Sequence, residues 1–347
     1  MRTEKVTIKD VARRTGVSEV TASVVVNGSR SGTRVSDASR SRILAAAAEL
    51  GYRRNSSAHA ITTGKFNSIA LLVSSRLGQS YLSDEILDGI HAGVNGNNLS
   101  LLASRLPDDR SDAPASIPKF LREWTVDGVL IDYIIETPDY LLEQVRDHSL
   151  PAIWINTRRD FDCVRPDDYS AGRLAAEYLI RLGHRRIDFT VPTFSYPIED
   201  HYSVTDRCAG YSEVMTAAGL SPHIVRNEVS ARLWVPFARQ WLKQDDRPTA
   251  IIGYSPTTAR PVLFAALSIG LRVPEDLSII SFNVPATDPM SGHIMSAVSL
   301  PEFDMGKAGV ELLIRKIASP LEPIPACVLP VHIHEGETCG PVSGSRF

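Results

Sequence analysis

The histidines and cysteines are the side chains of this 347-residue chain that could bind a metal ion or act in catalysis. The cysteines show no CxxC spacing, so they are expected to be free thiols rather than zinc ligands or disulfides. His184 lies at a helix-to-strand turn, where a structural role is expected, and the pair His332 and His334 would share one strand face. The remaining histidines considered have no Glu or Cys at metal-binding spacing: His91, His201, His223 and His293.

No enzyme signature accompanies these residues. The sequence contains no GxSxG elbow, no paired-acid signature and no phosphate-binding glycine loop after a strand. We therefore predict that the chain is not an enzyme and that it uses no cofactor and no metal.

A second group of polar side chains, near the N-terminus, suits contacts with nucleic acid. Hydroxyl and amide groups recur between residues 7 and 27, and such groups commonly contact phosphates and base edges. Residues 1–66 carry 12 Lys and Arg against 5 Asp and Glu, a net charge of +7, whereas the rest of the chain carries −10. A basic head on an acidic body favours a polyanion as the partner of the head.

Capping signals divide the start of this basic segment into two short helices. Thr7 can cap a helix whose third residue is Asp10, and Gly16 ends that helix. Ser18 can cap a second helix two residues later. The β-branched run in residues 21–27 leaves a strand as the alternative, but the caps on both sides favour a helix.

A third helix completes a small all-α unit. It is predicted to begin after Ser36 and to end at Gly51. Its inner face is predicted to carry Ile43, Leu44, Ala47 and Leu50. Three short helices with a tight turn before the second predict a helix-turn-helix DNA-binding domain.

The body has the alternating pattern of an α/β fold. Helical periodicity in residues 168–182, 207–218 and 257–269 separates apolar, β-rich runs, which predicts a parallel sheet with helices on both faces. A chain crossover near 157–165 and a return near 285–297 would divide the body into two lobes around a cleft. The strand-like runs are SIALLV, LSLLAS, GVLI, AIWI, RIDFTV, AIIGY and LSIISF.

Ordered motifs along the whole chain resemble the LacI/GalR family of bacterial transcription regulators. The motifs are TIKDVARRTGVS, the TxSxVxNG of residues 21–28, RVS at 34–36, ILAAAAELGY, Asn55, AAEYLIRLGHRRIDF, RCAGYSEVMTAAGL, RPTAII, GLRVPEDLSIISFN and MGKAGVELLIRKI. The resemblance implies a homodimeric regulator, a repressor, that binds double-stranded operator DNA. It further implies a body like periplasmic sugar-binding proteins that binds a small-molecule effector, either a sugar or another small polar or anionic metabolite.

The resemblance also implies a domain organisation. Residues 1–54 form the helix-turn-helix head, 55–66 the hinge helix and linker, and 67–347 the two-lobed body for effector sensing and dimerisation. The N-lobe is expected at about 67–157 and 290–320, and the C-lobe at about 158–289 and 321–347.

The second helix would enter the major groove, and its sequence is unusual for that role. Where relatives commonly carry longer polar side chains, this chain has Glu19, Val20 and Val24. Glu19 can accept from a cytosine amino group, and Val20 or Val24 can contact a thymine methyl group. The alternative is that Val20 and Val24 pack in the core, as is expected of Val25.

Other residues at matching positions are expected near DNA. Arg30 and Arg34 lie in a loop longer than is usual, which either adds phosphate contacts or is a solvated loop. Ile61 would be the apolar wedge of the hinge helix in the minor groove. The full set is Thr7, Ser18, Glu19, Val20, Thr21, Ser23, Asn27, Arg30, Arg34, Ser36, Asn55 and Ile61.

Matching positions also predict the effector site. Arg207 stands where the family places its ligand-binding arginine and would favour an anionic or carbonyl-rich ligand, unless it pairs with Asp206 or Asp168. The predicted effector-binding residues are Arg207, Asn283, Ser255, Tyr254, Asn156, Phe194, Tyr196 and Tyr81.

The N-terminal residues are too polar for a signal peptide, and no run of apolar residues could span a membrane, so a cytoplasmic protein is expected. Two alternatives share the α/β body. An exported solute-binding protein would need a signal peptide, and an enzyme of sugar or nucleotide metabolism would need a phosphate loop or an acid pair.

Overall fold

The structure is a computed structural model that describes residues 6–27, 35–52, 64–107, 123, 125–192, 201–227, 233–283 and 294–342. The chain separates into two compact units. The smaller comprises Met1–Asn67 with Thr125–Asp127, and the larger comprises Ser68–Trp124 with Gly128–Phe347.

The smaller unit contains three helices, α1 (Ile8–Thr15), α2 (Glu19–Asn27) and α3 (Asp37–Glu49). Small apolar residues from all three meet in one core, because short helices can pack closely only where their facing side chains are small. The core residues are Val11, Ala12, Ala22, Val25, Ile43 and Ala47.

The helix ends follow the predicted signals. The Thr7 backbone N–H donates to Asp10 Oδ2 at 2.9 Å, and the Thr21 N–H donates to Ser18 Oγ at 3.1 Å. Gly16 has a φ of 67°, the left-handed conformation that ends a helix. The helical prediction for residues 21–27 is confirmed, and the strand alternative is wrong.

One predicted core residue of α3 is misplaced. Leu44 is exposed, whereas Ile43, Ala46 and Ala47 are buried. The buried positions follow the i, i+3, i+4 spacing of one helix face, and Leu44 lies to the side of that face.

The larger unit contains two six-stranded sheets. The first has the order β11-β5-β4-β3-β1-β2, in which all paired strands run parallel. Helices α4 (Asp84–Gly96), α5 (Asp139–Asp147) and α10 (Glu302–Ala318) belong to this first lobe. Its strands are β1 (Ser68–Ser74), β2 (Ser100–Leu106), β3 (Gly128–Asp132), β4 (Ala152–Ile155), β5 (Cys163–Pro166) and β11 (Cys327–Leu329).

The second sheet has the order β12-β10-β9-β8-β6-β7 and is parallel except for β12. Helices α6 (Asp168–Arg181), α7 (Tyr202–Ala217), α8 (Trp234–Trp241) and α9 (Pro256–Ser268) belong to this second lobe. Its strands are β6 (Ile187–Pro192), β7 (His223–Asn227), β8 (Ala250–Gly253), β9 (Ser278–Phe282), β10 (Ser296–Ser299) and β12 (His332–His334). The two-lobed parallel-sheet architecture of the prediction is confirmed.

The chain passes between the lobes at other residues than predicted. Strands β5 and β11 pair in the first sheet, although the predicted boundaries put them in the second lobe. Strand β10 pairs in the second sheet, although it was assigned to the first. Short strands carry little periodic signal, so the pattern alone placed the crossovers several residues away.

Glycines allow the helices of each lobe to pack closely. In the first lobe, a Cβ at Gly89 of α4 would collide with the Phe303 carbonyl of α10, and one at Gly306 would collide with the Ile86 carbonyl. In the second lobe, a Cβ at Gly172 of α6 would collide with the Arg207 carbonyl of α7. The close contact at Gly172 fixes the backbone position of Arg207, which lines the cleft between the lobes.

Candidate nucleic-acid interface and effector cleft

The exposed residues at the start of helix α2 include one charged and one apolar side chain. Glu19 is exposed and Val20 is 65% exposed, whereas Val24 and Val25 are buried. An isolated exposed valine on a short helix is available to contact a base methyl group. The core alternative therefore fits Val24 and Val25 but not Val20.

The hydroxyl groups around α2 are partly occupied by helix capping. Ser18 Oγ accepts from the Thr21 N–H and lies 2.8 Å from Thr21 Oγ1. Ser36 Oγ caps α3 by accepting from the Ser39 N–H at 3.3 Å. Thr7, Ser18 and Ser36 remain exposed, and Thr21 and Ser23 are half-buried. A capping hydroxyl can still contact a phosphate, because its oxygen has a second lone pair and it carries a hydrogen.

Several residues predicted near DNA have no described side chain. Asn27 is the last residue of α2, and its side chain is outside the described set. Arg30, Arg34, Asn55 and Ile61 lie outside the described residues altogether, so the basic loop and the hinge helix stay predictions.

The two lobes of the larger unit enclose a cavity of about 400 Å³. This volume is in the usual range for a small-molecule site. Six of the eight residues predicted to bind an effector line it: Tyr81, Asn156, Arg207, Tyr254, Ser255 and Asn283. Phe194 and Tyr196 lie outside the described residues. The lining comes largely from loops and helix starts beyond the carboxyl ends of strands, as expected for parallel α/β sheets.

Arg207 is buried and pairs with groups of the protein. Its Nε donates to Asp168 Oδ1 at 2.7 Å, and its Nη1 donates to the Tyr254 carbonyl at 3.1 Å. Its guanidinium carbon lies 4.8 Å from the ring centre of Tyr254 and 4.5 Å from that of Phe282. Burial alone would lower the pKa of Arg207, but the Asp168 carboxylate more than offsets burial, so the pKa is raised. The predicted alternative, a pair with Asp168, is therefore what the structure contains.

The second candidate partner of Arg207 is engaged elsewhere. Asp206 pairs with Arg158 at 2.9 Å, and the arginine side chain is half exposed. Asp206 is on α7 in the second lobe and Arg158 follows β4 in the first, so this ion pair connects the two lobes.

His201 is a cleft residue that sequence reasoning did not assign to the site. Its Nε2 lies 3.0 Å from the Asn156 carbonyl of the first lobe, and its Nδ1 lies 2.7 Å from Ser203 Oγ. Burial lowers its pKa, so the neutral ring is favoured. His201 lies directly before α7. The sequence around it shows no Glu or Cys at metal-binding spacing, so its residue type alone did not indicate a role in the cleft.

A second connection between the lobes crosses the cleft. Asn283 Nδ2, in the second lobe, donates to Tyr81 Oη at 2.8 Å and also to the Glu302 carboxylate, both in the first lobe. Glu302 begins α10 and is buried, and it was not predicted from sequence. Burial is the largest cause that raises its pKa, and nearby Glu85 acts in the same direction.

The described residues contain no group of three or more His, Cys, Asp or Glu that could hold a metal ion. Within the same residues no helix is long and apolar enough to cross a membrane. His184 is instead a structural residue, since its ring contacts Thr249 Oγ1, Ser278 Oγ and the Gly340 carbonyl, each at 3.0 Å.

A three-helix head with an exposed second helix and a two-lobed α/β body with an interlobe cavity define a DNA-binding receptor of a recognisable class. Residues 7–55 match the sequence model described as bacterial regulatory proteins, lacI family, and residues 176–339 match a periplasmic binding protein-like domain. The head of this chain therefore resembles bacterial regulatory proteins of the lacI family, and its body resembles periplasmic binding proteins.

Relatives of known name are similar along nearly the whole chain. The HTH-type transcriptional repressor PurR of Erwinia tasmaniensis is 28% identical over 324 residues, which cover 91% of this chain and 92% of that protein. The ribose operon repressor of Haemophilus influenzae is 28% identical, covering 93% of this chain and 97% of the relative.

Solved structures share the fold. A lac repressor dimer bound to operator and an anti-inducer has a TM-score of 0.76 at 23% identity and covers 96% of this chain and 99% of its own. A LacI family transcriptional regulator from Mycobacterium smegmatis has a TM-score of 0.62 at 26% identity. The match covers 79% of this chain and 100% of that chain.

Proposed function

We propose that this protein is a transcriptional repressor that binds operator DNA as a homodimer and is controlled by a small molecule bound between its lobes. The observation that carries the DNA-binding part is the exposed Glu19–Val20 face of α2, held on a packed three-helix core. Relatives named as repressors support this role for the head. A protein that acts on chromosomal DNA works in the cytoplasm, and the proposed function needs no catalytic step.

The half-site that this face suits differs from one read by arginine. Arginine in a recognition helix commonly pairs with guanine, whereas Glu19 accepts from cytosine and Val20 suits a thymine methyl group. Twofold symmetry of a homodimer would present two copies of α2 to two half-sites, so the operator is expected to be a near-palindrome.

The effector role rests on the interlobe cavity. The cavity contacts both lobes, so a ligand there has different contacts in open and closed arrangements and can shift the balance between them. Two solved structures of the same fold have sugars in their names, cellobiose and ribose, which supports a polar ligand of similar size.

The test is selection of bound fragments from genomic DNA by the full-length protein. We expect an inverted repeat whose half-sites lose affinity when the base pairs facing Glu19 and Val20 are changed. The control is the Lys243→Gln variant, altered at an exposed position of the body, which should recover the same repeat. Recovery of no motif above random competitor at low ionic strength would exclude the proposed function.

A further inference from the structure

The charge of Arg207, on the second-lobe side of the cleft, is balanced by Asp168. Arg207 uses two of its N–H groups on Asp168 and the Tyr254 carbonyl, and its faces contact two aromatic rings. Arg260, the other arginine of the lining, also has a partner within the protein. An anionic ligand would have to separate a buried ion pair to reach Arg207, which is costly.

The first-lobe side of the cleft has the opposite character. Glu302 is 4% exposed and lines the cavity, and the described residues give it no ion pair with Lys or Arg. The hydrogen bond that the structure shows for its carboxylate is donated by Asn283 Nδ2. An ionised carboxylate can accept several hydrogen bonds, so one amide donor leaves acceptor capacity on Glu302 for a ligand.

Two buried acceptors lie directly behind this wall. Asp132 is fully buried, and only its Oδ1 has a partner, the N–H of cavity-lining Tyr81 at 3.4 Å. Among the residues that the structure describes, Asp132 Oδ2 and Gln79 Oε1 have no hydrogen-bond partner. Burial raises the pKa of Asp132 well above its usual value. Buried polar groups are normally paired, so these two atoms beside the first-lobe wall are exceptions among the described residues.

We propose that the effector carries a protonated amine, and that this amine binds at Glu302 on the first-lobe wall of the cleft. This inference rests on the proposed function of the cavity as the effector site. An ammonium group has three donors and one positive charge, so it can donate to the Glu302 carboxylate and pair with its charge. Its charge favours the ionised form of Glu302, whose pKa is raised by burial. Asn283 donates to Glu302 from the second lobe, so a ligand that binds Glu302 also changes this hydrogen bond between the lobes.

The test uses three probes with one carbon skeleton and full-length protein at pH 7.5. They are 1-amino-1-deoxy-D-sorbitol, D-sorbitol and D-gluconate, which differ in carrying an ammonium, a hydroxyl or a carboxylate at one end. We expect saturable stabilisation in thermal unfolding by the amine, with a dissociation constant at least tenfold lower than that of sorbitol. Gluconate should bind most weakly of the three.

Variants on one helix locate the site. Glu302→Gln should weaken binding of the amine at least tenfold, whereas Glu311→Gln, an exposed position of the same α10, should leave it unchanged. If Glu302→Gln does not unfold cooperatively, Glu302→Asp, which keeps the charge but withdraws the carboxylate by one methylene group, must show the loss instead. The inference is overturned if the amine does not bind, if gluconate binds as well, or if neither variant weakens binding. Binding of sorbitol or gluconate alone would retain the cleft as an effector site and reject the amine.

Discussion

Val20 and Val25 lie on the same short helix, and their exposure separates two roles. Val20 is 65% exposed and Val25 is 4% exposed. We expect Val20→Ala to change the preference at one base pair of the half-site by about 1 kcal/mol or more while leaving the unfolding midpoint unchanged. Val25→Ala should instead lower the free energy of unfolding by about 2 kcal/mol, because it leaves a cavity in the core.

Competition binding with single-base variants of the selected operator, together with urea denaturation, measures both effects. A Val20→Ala variant that loses stability and keeps its base preference would show that Val20 packs in the core. The sequence left these two roles open for Val20, since helical spacing does not determine which face of α2 meets α1 and α3.

The buried pair Arg207–Asp168 provides a second prediction at the scale of single residues. The side chain of Arg207 is 7% exposed and that of Asp168 1%. Asp168→Asn would leave a buried, partly unpaired guanidinium, and we expect it to lower the free energy of unfolding by about 3 kcal/mol. Urea denaturation measures this loss. The matched control is Asp246→Asn, which removes the partner of Arg186 in an exposed ion pair and should leave the midpoint unchanged. Equal effects of the two variants would contradict a dominant role for burial.

Most of the cleft was predictable from sequence, but its electrostatics were not. Six predicted effector residues converge on one cavity because they follow strands whose carboxyl ends meet. The partner of Arg207 is 39 residues away along the chain, and Glu302 reaches the same cavity from a later helix. Contacts of this kind depend on how helices pack across sheets, which no local pattern specifies.

Helix α4 contains a glycine that packs closely and another that does not, which tests the packing of the first lobe. Gly89 faces the Phe303 carbonyl of α10 and has no room for a Cβ, whereas a Cβ at Gly96 would meet nothing within 4 Å. We expect Gly89→Ala to lower the free energy of unfolding by about 2 kcal/mol through overpacking. Gly96→Ala should be neutral or stabilising by up to about 1 kcal/mol, since alanine favours the helix.

Denaturation of the two variants under one set of conditions is sufficient to compare them. If Gly89→Ala were as stable as Gly96→Ala, α4 and α10 would not be in close contact in solution. The disturbed helix carries Glu85 and its neighbour carries Glu302, so Gly89→Ala should also alter the first-lobe wall of the cleft.

The sequence predicted the central strands of each lobe better than the strands near the crossovers. Each of the seven apolar runs proposed as strands lies in a strand of the structure, from β1 to β9. Strands of three to five residues near the crossovers, such as β5, β10 and β11, were not recognised. Their pairing is set by the return of the chain from the other lobe, and this explains why the lobe boundaries were displaced.

At the scale of the whole molecule, His184 connects distant parts of the second lobe and makes stability depend on pH. Burial lowers its pKa from 6.5, so the unfolded chain binds a proton before the folded protein does. Its stabilising contribution is present above pH 6.5 and is lost as the pH falls below that value. We expect the free energy of unfolding to decrease between pH 7.5 and 5.5, and less steeply in His184→Gln. Some dependence should remain, because burial also lowers the pKa of His201.

The exposed His91 of α4 is the matched control for this measurement. His91→Gln should keep the pH dependence of the parent protein. A parent protein that gained stability on acidification from pH 7.5 to 5.5 would show that groups with raised pKa values dominate over the buried histidines.

The separation of charge between head and body determines how DNA binding should respond to salt. Residues 1–66 carry a net charge of +7 and the remaining residues −10, so attraction to phosphates arises in the head while the body is repelled. Each neutralised phosphate releases counterions, and two heads on one operator would contact several. We expect operator affinity to fall about 100-fold or more between 50 and 200 mM salt. Lys243→Gln, altered on the body, should show the same slope of affinity against salt, measured by fluorescence anisotropy. A slope near zero would mean that the basic head does not bind the phosphate backbone.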